Sequence, residues 1–172
     1  MPHADLKHRN SPLSSYPEVF DPISGNLNAL IKQSAERMLP LLGDEIRVRS
    51  FCSAGLSPVV ISPTQIEDIV GRLFAKAREE MQSGGMVMLQ TARSTIPLTG
   101  HSDSPAENVS YVVVTFRYTA YETSDVHSSQ LPPRGATIEA IRDIVEESRG
   151  FMSLDCIPYR ETLINIYLPV IS

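Results

Sequence analysis

The sequence predicts a two-layer α/β sandwich, with helices packed on one face of a mixed sheet. Three segments place apolar residues at helical spacing, and Val-, Ile- and Tyr-rich segments between them have the composition of strands. The predicted order is helix, strand, strand, helix, strand, strand, helix, strand, strand. The 172 residues suit one domain with one core, predicted over 26–172 after an extended, proline-rich lead-in at 1–25.

The first predicted helix follows Asn26, a residue that can cap a helix N-terminus. Its apolar residues recur at helical spacing, and the segment Pro40 to Gly43 is expected to end it. A half-buried strand is predicted over 45–52, where Ile and Val alternate with Arg. Val59 to Ile61 predicts a short second strand.

The second predicted helix has the clearest sequence signals. Ser62 to Gln65 forms a capping box with proline at the first helical position. Gly84 and Gly85 are expected to end the helix. Between these signals one apolar stripe is expected to face the core, made of Ile66, Ile69, Val70, Leu73, Phe74, Ala77 and Met81.

The remaining elements follow from runs of β-branched and aromatic residues. Strands are predicted over 86–92 and 109–118, separated by a polar loop. After a second polar loop at 119–135, apolar spacing predicts a helix that ends at Gly150. The final pair of strands, 151–156 and 162–168, is expected to form a hairpin.

Composition excludes few functions. The net charge of −5 argues weakly against a nucleic-acid partner. No apolar run reaches the length of a membrane span, and the first residues contain no apolar signal core, so a cytoplasmic location without membrane contact is expected.

Several local segments resemble, in order and spacing, the ATP-binding domain of bacterial sensor histidine kinases. These segments are Asn28–Ile31, Leu41–Ile46, Pro63–Glu67 with Ala77–Met81, Ser83–Gly85 and Thr162–Pro169. The resemblance implies the GHKL (Bergerat) ATPase fold. It also implies ATP with Mg²⁺ as cofactors and partners such as a response regulator or a kinase dimerisation domain.

The same resemblance identifies where the residues of the family's ATP pocket fall. The Mg²⁺-binding asparagine of the family's N-box helix falls at Lys76, and a second polar position falls at Arg72. Mg²⁺ prefers oxygen ligands, whereas an ammonium repels it. The aspartate that accepts a hydrogen bond from adenine falls at Tyr118, whose ring fills space that adenine needs.

The family's glycine-rich phosphate loop falls at Pro133 to Ile138, where only Gly135 matches its glycines. Proline supplies no amide to a phosphate, and side chains prevent the close approach that glycine allows. The cofactor-binding positions are therefore Arg72, Lys76, Tyr118, Arg134 and Gly135. The sequence offers no catalytic residue and no metal ligand.

Three functions remain open. The first is a degenerate, pseudokinase-type domain without ATP that binds a protein partner, with a homodimer also possible. The second is an active catalytic domain that binds ATP and Mg²⁺ and phosphorylates a histidine on a separate dimerisation domain; His8 is a poor acceptor because Pro12 follows closely. The third is a metal-independent anion or nucleotide sensor.

The sensor hypothesis has a simpler alternative. Its basic residues are Arg72, Lys76 and Arg134, but helical spacing equally predicts the ion pairs Asp68–Arg72 and Lys76–Glu80. An aromatic cluster filling the pocket is a further hypothesis, and its members are Tyr111, Phe116, Tyr118 and Tyr121.

Overall fold

The computed structural model describes residues 26–97, 108–121, 135–157 and 161–171, so the predicted lead-in lies outside the described residues. These ranges contain three helices and five strands. They are α1 (Leu27–Leu42), β1 (Ile46–Cys52), α2 (Pro63–Glu80), β2 (Gly85–Pro97), β3 (Asn108–Ala120), α3 (Ala136–Glu147), β4 (Phe151–Ile157) and β5 (Glu161–Pro169).

The five strands form one sheet in the order β1-β2-β3-β5-β4. The β1–β2 pair is parallel, because α2 connects the two strands. The other three pairs are antiparallel, and β4 and β5 form the predicted hairpin. The sheet is therefore mixed, and the predicted fold class is confirmed.

The core lies between the helices and one face of the sheet. Alternate residues of each strand point into it, as the two-residue period of a strand requires. On α2 the predicted apolar stripe is buried along its whole length. The largest fully buried side chains are Phe74, Phe116, Ile31, Leu42, Ile61, Leu73, Met81, Leu89, Ile141, Ile164, Ile166 and Leu168.

The start of α2 has the predicted capping box. The Gln65 amide donates to the Ser62 hydroxyl oxygen at 3.1 Å, and the Ser62 amide donates to the Gln65 side-chain oxygen at 2.9 Å. Two amides that lack a partner within the helix are thereby satisfied, and Pro63 has none to satisfy.

The turn after α2 requires its two glycines. Gly84 has φ +93°, a left-handed conformation, and a Cβ there would lie 2.6 Å from the Glu45 carbonyl oxygen. A Cβ on Gly85 would lie 2.4 Å from the Thr119 carbonyl oxygen. This close approach holds the end of α2 against the start of β1 and the end of β3.

Two strand predictions need correction, whereas the predicted end of α1 is confirmed. The strand predicted at Val59 to Ile61 is wrong, since Val59 forms only an isolated bridge with Val170. α1 ends at Leu42, with Gly43 as its C-cap, inside the segment from Pro40 to Gly43 that was expected to end it. β2 runs on to Pro97, because its polar end pairs with the start of β3. That partner belongs to the next strand, so the local composition of 93–97 did not reveal the extension.

The described residues include no helix that is both long enough and apolar enough to cross a membrane.

Candidate functional site

α2 carries two acid–base pairs on successive turns. The Arg72 Nε lies 2.8 Å from the Asp68 carboxylate, and the Lys76 Nζ lies 2.8 Å from Glu80 Oε1. Their environments differ, because the Arg72 and Asp68 side chains are 40% and 45% exposed, whereas those of Lys76 and Glu80 are 18% and 23% exposed. Both predicted pairs are thus present, and the second lies closer to the sheet.

Tyr118 connects β3 to the inner pair. Its side chain points toward the helices and is 3% exposed. The Tyr118 hydroxyl donates a hydrogen bond of 2.5 Å to Glu80 Oε2, the oxygen that Lys76 does not use. These three side chains form what we call the Lys76–Glu80–Tyr118 network. Within it, both carboxylate oxygens of Glu80 have a partner.

The environment of Tyr118 keeps its hydroxyl protonated. Burial raises the pKa of Tyr118 well above its ordinary value near 10, and the hydrogen bond to Glu80 raises it further. A hydrogen bond from Thr162, which lies opposite Tyr118 in the β3–β5 pairing, acts in the other direction but is weaker. Tyr118 is therefore a neutral donor at physiological pH.

Polar groups continue from Tyr118 toward the sheet edge. Cys156 of β4 lies across from Thr162, with its sulfur 3.9 Å from the threonine hydroxyl. Burial raises the pKa of the Cys156 thiol, which favours the uncharged, less nucleophilic form. Thr162 and Cys156 therefore offer hydrogen-bonding groups beside Tyr118, and Cys156 is not an activated nucleophile.

Glu80 is the site residue whose full role the sequence did not reveal. Its spacing from Lys76 predicted the ion pair, but nothing in the local sequence indicated the bond to Tyr118, which lies 38 residues away. Packing of α2 on β3 creates that contact. A polar residue on a core-facing strand position, such as the Tyr118 hydroxyl, is the signal that a buried partner must exist.

Gly135 lies at the N-terminus of α3, as expected, but the structure does not require glycine there. Its φ of 160° is extended backbone, and a Cβ would meet nothing within 4 Å. Among the described residues, no side chain donates or accepts a capping hydrogen bond at this helix N-terminus. Arg134, the remaining predicted pocket residue, lies outside the described residues, as do the four histidines.

The four-membered aromatic cluster was predicted incorrectly. Phe116 and Tyr118 are neighbours in the core, with ring centroids 6.0 Å apart. Tyr111 is an odd-numbered residue of β3, so it lies on the opposite face of the sheet, against Phe151 and Tyr167. Tyr121 is 48% exposed. Strand alternation and the end of β3 therefore separate these residues.

In the described parts of the chain, no three His, Cys, Asp or Glu side chains are placed so that they could share a metal ion.

The fold was compared with solved structures. The mycobacterial sensor histidine kinase MprB matches with a TM-score of 0.57 and 15% identity, over 87% of this chain and 98% of that structure. The histidine kinase domain of the E. coli osmosensor EnvZ matches with a TM-score of 0.54 and 15% identity, over 88% and 91%. This chain has the fold of sensor histidine kinase catalytic domains.

A third kinase extends the comparison. The Acinetobacter baumannii histidine kinase AdeS matches with a TM-score of 0.59 and 9% identity, over 89% of this chain and 69% of that one. By sequence, no protein-family model and no curated protein matches the chain. The chain therefore shares the fold of these kinases although its sequence is only 9 to 15% identical to theirs.

Proposed function

We propose that this kinase-like domain does not bind ATP with Mg²⁺ and serves as a protein-binding module in two-component signalling. The observation that carries the proposal is the Lys76–Glu80–Tyr118 network. Two of its members stand at the positions to which the resemblance assigns the Mg²⁺ ligand and the adenine acceptor. In the network Lys76 contacts one carboxylate oxygen of Glu80, and Tyr118 donates a hydrogen bond to the other.

The donor set does not fit Mg²⁺. An ammonium at position 76 supplies positive charge where the cation needs an oxygen ligand. The nearest carboxylate, Glu80, already accepts from Lys76 at one oxygen and from Tyr118 at the other. A cation at either oxygen would compete with the Lys76 ammonium or the Tyr118 hydroxyl already bound there.

The position assigned to adenine recognition has the wrong polarity. The family's aspartate accepts a hydrogen bond from the adenine amino group, whereas the Tyr118 hydroxyl gives its proton to Glu80. Its phenolic ring packs against Phe116 in the core. Accommodating a base would require that ring to leave a buried position, where Tyr118 is only 3% exposed. The cost of re-exposing a core tyrosine is on the order of 2 kcal/mol.

Calorimetric titration with ATP and ADP, each with and without Mg²⁺, tests the proposal. We expect no measurable binding under any condition, against an ATP-binding histidine kinase catalytic domain as the positive control. Micromolar binding that requires Mg²⁺ would overturn the proposal in favour of an active catalytic domain. Metal-independent binding that weakens with added salt would overturn it in favour of an anion sensor.

The sensor outcome has its own matched pair of variants. Lys76→Gln and Arg72→Gln each remove one positive charge from α2. If an anion binds at the network, only Lys76→Gln reduces its affinity, because Arg72 lies one turn away in a more exposed pair. Equal losses from both variants indicate non-specific charge attraction.

The partner half of the proposal is tested by interferometry. Immobilised domain is exposed to isolated dimerisation domains and response-regulator receiver domains from the source organism. We expect saturable binding to one class that is unchanged by ATP and Mg²⁺. Binding that appears only with nucleotide contradicts the proposal.

A further inference from the structure

The two edges of the sheet differ in how they are protected. β1 and β4 are the edge strands, and each has a single neighbour in the described sheet. One set of backbone N–H and C=O groups on an edge strand therefore has no ladder partner, and it can pair with another strand. Charged side chains on an edge strand discourage such pairing.

β1 carries charges that oppose self-pairing. Arg47 and Arg49 are exposed on the sheet face that the helices do not cover. If two copies of β1 met antiparallel about Arg49, the two Arg49 side chains would lie opposite each other. A centre at Val48 would place Arg47 opposite Arg49. Like charges directly opposite each other destabilise a strand pair.

β4 carries fewer charges than β1. Its seven residues include neither proline nor a basic residue, and Asp155 is its one charged residue. Phe151, at its start, is 41% exposed although it stacks on Tyr167 with ring centroids 4.3 Å apart. An edge strand with one charged residue, no proline and no basic residue has few of the features that discourage pairing with a second strand.

We propose that the β4 edge binds a second copy of this chain, with the two β4 strands antiparallel about a two-fold axis at Leu154. In this register all seven residues of each strand overlap. Asp155 lies opposite Ser153 of the second copy, so the one charged residue faces a hydroxyl and not its own copy. A two-fold axis at Asp155 would instead place the two carboxylates together.

The proposed pairing has a defined geometry. The axis stands perpendicular to the sheet, so the helices of both copies lie on the same side. The two sheets become one ten-stranded sheet, with β1 as its edge at both ends. The arginines of β1 then stop further growth, which makes the assembly a closed dimer. The pairing does not use Lys76, Glu80 or Tyr118, so this inference stands independently of the proposed function.

Sedimentation of the full chain over about 1 to about 500 µM tests the inference, since a strand pair of this length belongs with the small, weak interfaces. We expect a reversible monomer–dimer equilibrium. A monomer at every concentration overturns the proposal. On the unmodified protein, backbone amides of β4 should gain protection from hydrogen exchange as concentration rises, whereas those of β1 should not.

Charge variants at one position test the register. Ser153→Glu places a second carboxylate opposite Asp155 at two symmetric points, and we expect the dimer Kd to rise roughly tenfold. Ser153→Lys places an ammonium there, so the dimer Kd should stay the same or fall. Both variants replace the Ser153 hydroxyl, which accepts a hydrogen bond from Asn165, with a longer charged side chain.

A control at the other edge completes the design. Arg49→Glu should leave the dimer Kd unchanged, because β1 is distant from the proposed axis. Equal effects from Ser153→Glu and Ser153→Lys overturn the register, and an effect of Arg49→Glu overturns the choice of edge. Circular dichroism verifies that each variant folds. If one variant does not fold, hydrogen exchange on the unmodified protein still tests whether β4 forms the interface.

Discussion

The two acid–base pairs of α2 have the same spacing and the same ion-pair distance, yet they differ in what surrounds them. Asp68–Arg72 lies among solvent and has no further described partner, whereas Lys76–Glu80 is largely covered and binds Tyr118 from the sheet. Exposed pairs contribute little because water competes for both charges. A covered pair with a third partner is more sensitive, because removing one member leaves the others without solvent or a partner.

The largest effect on this comparison should come from Glu80→Ala. This change removes the acceptor for both Lys76 and Tyr118, leaving a charge and a buried hydroxyl unpaired. We expect the free energy of unfolding to fall by about 3 kcal/mol. Urea denaturation measures it, and a loss as small as that of Asp68→Ala would contradict the importance of burial.

The next effect is the response to alkaline pH. The pKa of Tyr118 is raised in the folded state, so Tyr118 keeps its proton there while the unfolded chain loses it above pH 10. The contribution is fully present below pH 10 and falls with rising pH by about 1.4 kcal/mol per unit. Unfolding of the wild type and Tyr118→Phe, compared between pH 8 and 11, should show this extra slope only in the wild type.

At neutral pH the Tyr118→Phe change should have a smaller effect. It removes the hydroxyl but keeps the ring and the Lys76–Glu80 pair, so we expect a loss of about 1 kcal/mol. A double-mutant cycle with Glu80→Gln measures the coupling between the two side chains. Additive losses would indicate that the hydrogen bond contributes nothing of its own.

The smallest effect should come from the exposed pair. Asp68→Ala leaves Arg72 solvated, so the free energy of unfolding should change by less than about 0.5 kcal/mol. This small difference should vanish in 1 M salt, where charges are screened over about 3 Å. If Asp68→Ala lowers the free energy of unfolding nearly as much as Glu80→Ala does, burial does not determine how much each ion pair contributes to stability.

Much of the fold could be predicted because its signals are local. The capping box of α2, its apolar stripe and its glycine stop each lie within a few residues, and each is present in the structure. The failures concern contacts between separate segments of the chain. The polar end of β2 is a strand because β3 pairs with it, and Val59 to Ile61 is not a strand because only Val170 meets it.

The candidate site divides along the same line. The family resemblance predicted that Lys76 and Tyr118 stand at two positions of a kinase-type pocket, and helical spacing predicted the Lys76–Glu80 pair. The sequence did not show whether the Lys76 ammonium is available to a phosphate or is bound to the Glu80 carboxylate. The aromatic cluster failed for a related reason, since strand alternation sends Tyr111 to the other face.

The sequence by itself therefore determined the elements of this protein: where α2 begins and ends, which of its faces is apolar, and which charges lie one turn apart. Helical period, capping and glycine conformation each depend on a few neighbouring residues, so they can be predicted from short segments of sequence. The tertiary structure alone decided that Tyr118 binds the carboxylate oxygen of Glu80 that Lys76 leaves free. That outcome depends on packing α2 against β3, which excludes water and leaves each polar group only the partners that packing supplies.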